Sequence, residues 1–311
     1  MQADGTAVPS RSLAQRAVSA AVELHLIEPT EVDSGSVQVQ SLNHSSSVGR
    51  LICGDRAWIV KNAGGTPRPG NDWRAELAVY RSAPLDSDRS AVPDLLGYSQ
   101  HEEVVLIESL DRNWRRLDSF ELRSPWSIEI VSRVATGLAH WHQASQSLCD
   151  IAGAEVPFFA ESDAFLGQSP GSQRLHEAIR DVENAWVTSH VMHGDVCLSN
   201  VMCHDDGPIR LIDWTTSGWG DPRWDLAGLL QELHSAEIER GIDTAAHRVA
   251  VLGSYAERGP SPSVLAETDP MLQAFLAARL IRRAIQIQQS PTGTSDGVAA
   301  HLAAARAVRS G

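Results

Sequence analysis

Apolar residues recur with a period of two along the first third of the chain, a pattern typical of strands with one buried face. Three such short runs lie close together, at residues 37–39, 50–53 and 57–61. Polar turns separate them, the longest being the serine-rich segment 43–49. The pattern therefore predicts a β-meander. A continuous apolar run at 104–107 predicts one further strand, buried on both faces.

Helical periodicity flanks the meander and dominates the rest of the chain. Amphipathic helices are predicted at 12–26 and from residue 71, where Trp73, Leu77 and Tyr80 share one face. Beyond residue 110 the predicted helices are 128–138, 173–187, 225–257, 271–289 and 298–309. Residues 146–172 contain glycine and proline and are predicted to be irregular, and 209–212 is predicted to be a short strand. The sequence thus predicts an α+β fold with a small β-rich N-terminal part and a larger helical C-terminal part.

The charge of the chain limits the classes of partner. Its 311 residues include 26 basic and 39 acidic ones, giving a net charge of −13, which argues against binding to nucleic acid or to an anionic membrane. The four cysteines are scattered and are expected to be reduced. No apolar run is long enough to span a membrane, and the first ten residues do not resemble a secretory signal, so a cytoplasmic location is expected.

Two short motifs carry the strongest chemical signal, HGDVCLSN at 193–200 and IDW at 212–214. Phosphoryl transfer needs a carboxylate that accepts the proton of the attacking hydroxyl, together with oxygen ligands for Mg²⁺. Asp195 can supply the base, and Asn200 lies five residues later in the same segment. Asp213, directly after an apolar run, can supply a carboxylate for the metal ion.

The same reaction needs a cation on the nucleotide phosphates. Of the 26 basic residues, Lys61 is the only lysine, and it ends a predicted strand. We expect Lys61 to contact the phosphates, oriented by Glu76 on the following helix. A surface ion pair between these two side chains is the alternative.

The order of these motifs resembles the aminoglycoside phosphotransferase and choline kinase family. The similarity spans about residues 36–230 and comprises VK, a helical Glu, HGD-x4-N, IDW and GDP-x2-DLA. It implies a bilobal protein-kinase-like fold that binds ATP and Mg²⁺ between its lobes. The implied boundaries are a nucleotide-binding lobe at 1–107, a hinge at 108–113 and a catalytic lobe at 114–311.

The resemblance assigns the same roles as the chemistry to five residues, with a base at Asp195, metal ligands at Asn200 and Asp213, and an ion pair between Lys61 and Glu76. It adds a hinge from Glu108 to Leu110 whose backbone would hold adenine. It also implies that Asp225 braces the catalytic loop through backbone N–H groups. The loop expected to cover the nucleotide is rich in serine rather than glycine, so Ser46 and Ser47 could contact phosphate through hydroxyls or backbone N–H groups.

The acceptor is expected to be a small molecule, and a cationic one is a candidate. The family places it against the segment ahead of the catalytic loop, and residues 146–245 here carry 17 acidic and 5 basic residues. Glu161 and Asp163 are the candidate contacts, although a solvated acidic helix face explains the charge equally simply. CLSN resembles the CLPN of antibiotic-modifying members, which suggests an amine-bearing antibiotic. A metabolic kinase for choline, thiamine, homoserine or a sugar remains open, as does a non-catalytic nucleotide-binding module.

A rival interpretation is a zinc site built from residues clustered within fifteen positions: His190, His193, Cys197, Cys203 and His204. Their spacing matches none of the usual paired patterns, and we expect His193 to be a structural hydrogen-bonding residue rather than a base or ligand. A P-loop is excluded because the only lysine is not preceded by the required glycines. A protein substrate is disfavoured, since eleven residues between Asp213 and Asp225 leave no room for an activation segment.

Overall fold

The chain falls into two compact units, one within Met1–Thr66 and Pro93–Asp111 and the other within Pro67–Val92 and Arg112–Gly311. The structure is a computed structural model, and it describes residues 11–42, 47–64, 73–83, 91–110, 113–119, 127–148, 151, 158–167, 172–205, 207–260 and 268–309. The side chains of residues 119, 158–160 and 163 lie outside this description.

The first unit is an antiparallel sheet with helices. Its elements are α1 (Leu13–Glu23), α2 (Pro29–Asp33), β1 (Val37–Ser41), β2 (Val48–Cys53), β3 (Arg56–Asn62), β4 (Leu95–Ser99) and β5 (Val104–Glu108). The strand order is β1-β2-β3-β5-β4, and all neighbouring strands are antiparallel. The predicted meander is therefore confirmed as β1 to β3, and the apolar run at 104–107 is strand β5, which lies between β3 and β4.

Helix α1 begins at a capping box and packs on the sheet through small residues. The Ser12 hydroxyl accepts a hydrogen bond from the backbone N–H of Gln15, whose side chain accepts one from the Ser12 N–H. The fully buried alanines on its inner face permit close contact with the strands. The core of this unit consists of Ala17, Ala20, Ala21, Ile27, Leu51, Cys53, Trp58, Val60, Val104 and Leu106.

The second unit is mostly helical. Its helices are α3 (Trp73–Ser82), α4 (Ile128–Ser145), α5 (Phe158–Leu166), α6 (Gln173–Ala185), α7 (Pro222–Arg240), α8 (Ala245–Arg258), α9 (Pro270–Gln289) and α10 (Ser295–Val308). Its strands are β6 (Trp114–Arg116), β7 (His190–Met192), β8 (Val201–His204), β9 (Ile209–Leu211) and β10 (Gly218–Gly220). They form a three-stranded sheet, β6-β8-β9, and a pair, β7 with β10. Within the part of the chain that is described, no helix has the length and apolarity needed to cross a membrane.

Three predictions of local structure are corrected. The segment 146–172 is not wholly irregular, because it contains α5. The single helix predicted at 225–257 is two helices, since Gly241 adopts a left-handed φ of 68° and ends α7. Five strands were not predicted in the sequence, namely β4, β6, β7, β8 and β10, three of which have only three residues, too few to show a period. In addition, α3 lies in the second unit, and the lobe boundaries given above stay a prediction.

Candidate active site

A β-hairpin brings Asn200 and Asp213 to the same end of the sheet. Strands β8 and β9 pair from Val201 opposite Leu211, and the N–H of Ile212 donates to the carbonyl of Asn200 at 2.9 Å. Asp213 follows immediately in the left-handed conformation, with φ of 66°, which turns the chain sharply after the strand. Its carboxylate accepts a hydrogen bond from the hydroxyl of Thr215 at 3.0 Å. The two predicted metal ligands are therefore neighbours through backbone pairing.

Asp195 is joined to Asn200 within the loop that precedes the hairpin. The Asn200 side-chain nitrogen donates to the backbone carbonyl of Asp195 at 3.0 Å and lies 3.5 Å from one of its carboxylate oxygens. The other carboxylate oxygen forms an ion pair with Arg282 of α9 at 3.1 Å. The Asp195 side chain is 31% exposed, so a small molecule can reach it. The three residues that the chemistry singled out thus lie at one place in this unit.

The fully buried Asp225, in the first turn of α7, holds the backbone of the same loop. Its two carboxylate oxygens accept the N–H groups of His193 at 2.7 Å and Gly194 at 2.8 Å. Burial acts to raise the pKa of Asp225, but His142 and His193, which donates its backbone N–H, outweigh it, so the pKa is lowered. The carboxylate is therefore charged, and it accepts hydrogen bonds from the loop backbone and from His142.

A chain of buried side chains continues from Asp225 to helix α8. One ring nitrogen of His142 lies 3.1 Å from Asp225, and the other lies 2.7 Å from the hydroxyl of Tyr255. Because an ionised Asp225 must accept, Nε2 of His142 donates to it, and a neutral ring accepts the Tyr255 hydroxyl at Nδ1. The loop that bears Asp195 is thereby connected to α4 and α8.

His193 links the loop to the hairpin rather than acting as a free base. Its Nε2 donates to the carbonyl of Ile212 at 3.0 Å, while its Nδ1 accepts the backbone N–H of Asp195 at 3.2 Å. The ring is fully buried and packs against Trp214 with centroids 4.6 Å apart. Both ring nitrogens are used, which agrees with the structural role expected from the sequence.

Gly194 is at a position that only glycine fits. Its φ is 82°, and a Cβ placed there would lie 2.4 Å from the carbonyl oxygen of Thr216. The turn after Asp213, which contains Thr216, is held against the loop, because the Thr216 hydroxyl donates to the carbonyl of His193 at 2.9 Å. The glycine of the HGD motif therefore lets the loop and the turn after Asp213 come into contact.

Replacement of Gly194 by alanine is expected to lower the free energy of unfolding by about 2–4 kcal/mol, since it combines a left-handed backbone with a backbone clash. Urea denaturation measures the change. Gly253 is a matched control, because it lies in α8 and a Cβ added there would meet no neighbouring atom within 4 Å. Alanine at Gly253 is expected to raise stability by about 0.5–1 kcal/mol. Equal effects at the two positions would contradict the close contact at Gly194.

Glu76 of α3 is buried beside the Asp213 turn. One of its carboxylate oxygens accepts the backbone N–H of Trp214 at 3.2 Å and the hydroxyl of Tyr80 at 2.8 Å. Burial and the nearby charge of Glu76 raise the pKa of Tyr80 well above its usual range, so it remains a donor. Lys61 lies on β3 of the other unit, opposite Val48 and Val105. The ion pair between Lys61 and Glu76 remains a prediction.

The remaining predicted contacts are distributed over both units. In the first unit, Ser47 precedes β2 and accepts the N–H of Asn62 at its carbonyl, 2.8 Å away. Glu108 ends β5 opposite Trp58, and Leu110 follows it. Ser46 lies outside the described residues.

In the second unit, Glu161 of α5 is exposed and accepts a hydrogen bond from Gln289 of α9 at 2.7 Å. The side chain of Asp163, also on α5, lies outside the described part.

The zinc interpretation finds no support among the residues that the structure describes. They contain no group of three or more His, Cys, Asp or Glu side chains arranged to hold a metal ion. His190 is bonded to Gln146 and Ser189, each at 2.7 Å. Burial raises the pKa of Cys203 to about 11, which disfavours the thiolate that zinc requires.

Four residues around the loop were missed in the sequence. His142 and Tyr255 belong to the buried chain described above, and Arg279 and Arg282 of α9 contact the loop carbonyls. None stands in a recognisable motif, and in α9 the apolar stripe was the only visible pattern. The signal that could have found the arginines is their spacing of three positions on one helix face.

Comparison with known proteins agrees with the motif analysis. A profile of a phosphotransferase enzyme family matches residues 36–260. A choline kinase from Streptococcus pneumoniae is 18% identical, with 92% of this chain and 99% of that chain covered and a TM-score of 0.59. An aminoglycoside phosphotransferase from Alicyclobacillus acidocaldarius is 14% identical, with 91% and 93% covered and a TM-score of 0.57.

An amicoumacin kinase in complex with AMP-PNP, Ca²⁺ and Ami is 14% identical, with 95% and 93% covered and a TM-score of 0.60. No curated protein sequence matches significantly. These solved structures are too distant in sequence to indicate more than the fold, whereas the family profile covers most of the chain. The chain therefore belongs to the phosphotransferase enzyme family and has the α+β, protein-kinase-like fold of choline kinases and aminoglycoside phosphotransferases.

Proposed function

We propose that this phosphotransferase is a small-molecule kinase that uses ATP and Mg²⁺ to phosphorylate a hydroxyl group. The observation that carries the proposal is the grouping of Asp195, Asn200 and Asp213 at one end of the β8–β9 hairpin. In the reaction the acceptor oxygen forms a bond to the γ-phosphorus, the bond to the β-phosphate oxygen breaks, and ADP leaves. Asp195 accepts the hydroxyl proton, which is general-base assistance worth about 10²–10⁴ in rate.

The donor atoms around Asn200 and Asp213 suit Mg²⁺. The side-chain nitrogen of Asn200 donates a hydrogen bond to the carbonyl of Asp195, so the side-chain oxygen of Asn200 is the atom available to bind a hard cation. Mg²⁺ prefers one or two protein oxygen ligands completed by phosphate oxygens and water, which a pair of ligands satisfies. When bound, the ion would offset the charge that develops on the phosphate oxygens. Asn200 and Asp213 are the residues proposed to hold it.

The nucleotide contacts are proposed from the family resemblance. Lys61 would bind phosphate with Ser46 and Ser47, and the backbone from Glu108 to Leu110 would hold adenine. Glu76 would orient Lys61. The bond from the Trp214 N–H to Glu76 supports a further role, because it ties the helix bearing Glu76 to the residue directly after Asp213.

For the acceptor we propose an amine-bearing antibiotic that phosphorylation inactivates. The local excess of acidic residues at 146–245 and the exposed Glu161 support a cationic acceptor. A metabolic amino alcohol such as choline is the second candidate, supported by the fold similarity to choline kinases.

The proposal is tested by a phosphorylation screen with ATP and Mg²⁺. The panel contains aminoglycosides, nucleoside antibiotics, choline, ethanolamine, homoserine, thiamine and neutral sugars, with ADP release and product mass as readouts. We expect turnover with amine antibiotics, and we expect this turnover to fall as the salt concentration is raised. Turnover on neutral sugars alone would overturn the cationic acceptor, and no turnover on any alcohol would overturn the kinase assignment.

Replacement of Asp213 by alanine is expected to weaken Mg²⁺-dependent ATP binding at least about tenfold, because a charged ligand of the metal is lost. Calorimetric titration of ATP with and without Mg²⁺ measures the difference. The control is Asp205→Ala. It removes an exposed carboxylate of the same hairpin, one that forms an ion pair with Arg115. Unchanged Mg²⁺-dependent binding in Asp213→Ala would contradict its role as a ligand.

A further inference from the structure

The side of Asp195 that faces helix α9 is covered by a guanidinium group. Arg282 forms the ion pair with one carboxylate oxygen at 3.1 Å and also donates to the carbonyl of Gly194 at 3.2 Å. Its guanidinium packs over the ring of Trp224, 5.9 Å from the centroid. Three contacts therefore fix the position of Arg282, and it is still 25% exposed beside the predicted base.

A second arginine one turn earlier on α9 makes this arrangement rigid. Arg279 is almost fully buried and donates to the carbonyls of Gly194 at 3.5 Å and Val196 at 3.0 Å. It also lies over Trp224, 4.9 Å from the ring centroid. Gly228 of α7 makes room for it, since a Cβ there would lie 2.7 Å from the guanidinium. The aromatic face nearest the loop is thus occupied by the protein's own cations.

This geometry limits what can be attached next to the reacting hydroxyl. A hydroxyl hydrogen-bonded to Asp195 lies within about 6 Å of the Arg282 guanidinium. An ammonium group on the neighbouring carbon would be at a similar distance from Arg282 and would be repelled by it in this partly buried place. An uncharged group would not be repelled.

The same face of α9 meets an acidic residue further along. Gln289 lies seven residues after Arg282, which places it on the same face and about 10.5 Å along the helix axis. Its side chain donates to Glu161 of α5. A molecule that extends from Asp195 along α9 therefore meets a cation first and an exposed carboxylate about two turns later.

We propose that Arg282 is a specificity-determining residue that excludes acceptors with an ammonium group adjacent to the phosphorylated hydroxyl. The acceptor, in a proposal that rests on the proposed kinase function, is a polyfunctional alcohol whose cationic group lies about two helical turns away, near Glu161. Compact amino alcohols such as choline and ethanolamine do not fit this charge pattern.

The test compares choline with its uncharged carbon isostere, in which carbon replaces the nitrogen. Both are offered with ATP and Mg²⁺ to the wild type, to Arg282→Gln and to Arg283→Gln. Arg283 is the matched control, because it is the next residue of α9 and pairs with Glu239 instead of Asp195. We expect the wild type and the control to have a higher kcat/KM for the isostere than for choline. In Arg282→Gln we expect the ratio of the two kcat/KM values to fall about tenfold, through a change in KM.

The position of the amine is tested with aminoglycosides, whose phosphorylated hydroxyl is located by NMR. We expect a hydroxyl with no ammonium on the neighbouring carbons, and an increased KM in Glu161→Gln for the same compound. Phosphorylation next to an ammonium group, or identical preferences in Arg282→Gln and Arg283→Gln, would overturn the inference alone. Absence of turnover with every alcohol would overturn the kinase function and the inference with it.

Discussion

Replacement of Asp195 by alanine is expected to reduce kcat by about 10²–10⁴, because the group proposed to accept the hydroxyl proton is removed. ATP binding is expected to remain nearly unchanged, since the proposed metal ligands Asn200 and Asp213 are retained. Steady-state kinetics with the acceptor found in the screen measures the loss of kcat, and calorimetric titration of ATP and Mg²⁺ measures binding.

The control for this substitution is Asp296→Asn, which neutralises an exposed carboxylate in the first turn of α10. It is expected to leave both kcat and ATP binding unchanged. Turnover of Asp195→Ala close to that of the wild type would remove Asp195 from the mechanism. A parallel loss of ATP binding would mean that Asp195 serves the nucleotide rather than the acceptor.

Replacement of Asp225 by asparagine is expected to lower the free energy of unfolding by about 3–5 kcal/mol, because it breaks a buried charged network. The asparagine amide can accept at only one atom, so one of the N–H groups of His193 and Gly194, or His142, loses its acceptor. Urea denaturation measures the loss. Tyr255→Phe, which removes only the outer hydroxyl of the same network, is expected to cost about 1 kcal/mol.

The same network predicts how stability depends on pH. The folded protein holds the pKa of Asp225 below its ordinary value, so the unfolded chain binds the proton more readily. The stabilisation is therefore present above about pH 4, the ordinary range of an aspartate, and is lost as the pH falls further. We expect Asp225→Asn to have a shallower decline of stability below pH 4 than the wild type. An unchanged decline would mean that other carboxylates control it.

Much of the fold could be predicted because its elements are long or regularly patterned. The β-meander and the helices α4, α9 and α10 show clear periodicity, and the structure confirms them. The short strands β7 and β10 could not be predicted, since their pairing is set by tertiary contacts between distant segments. Helix α5 was missed because the glycines and prolines around it indicated a loop.

The candidate site was predictable where function depends on a contiguous motif. Asp195, Asn200 and Asp213 stand at fixed spacings, and the backbone contacts of Asp225 are those that the resemblance implied. The arginines of α9 were not predictable, because nothing near residue 280 in the sequence indicates that this helix packs on a loop some 85 residues earlier. Such contacts are determined by the packing of helices and are visible only in three dimensions.

The attachment of helix α9 has a consequence for how the enzyme could acquire new acceptors. Substitution of Arg279 or Arg282 on its inner face would disturb the loop that bears Asp195. Glu161 on α5, by contrast, makes a single described hydrogen bond to α9 at an exposed position. Evolutionary drift in substrate range is therefore expected to accumulate in α5, while α9 remains nearly invariant among descendants of this enzyme.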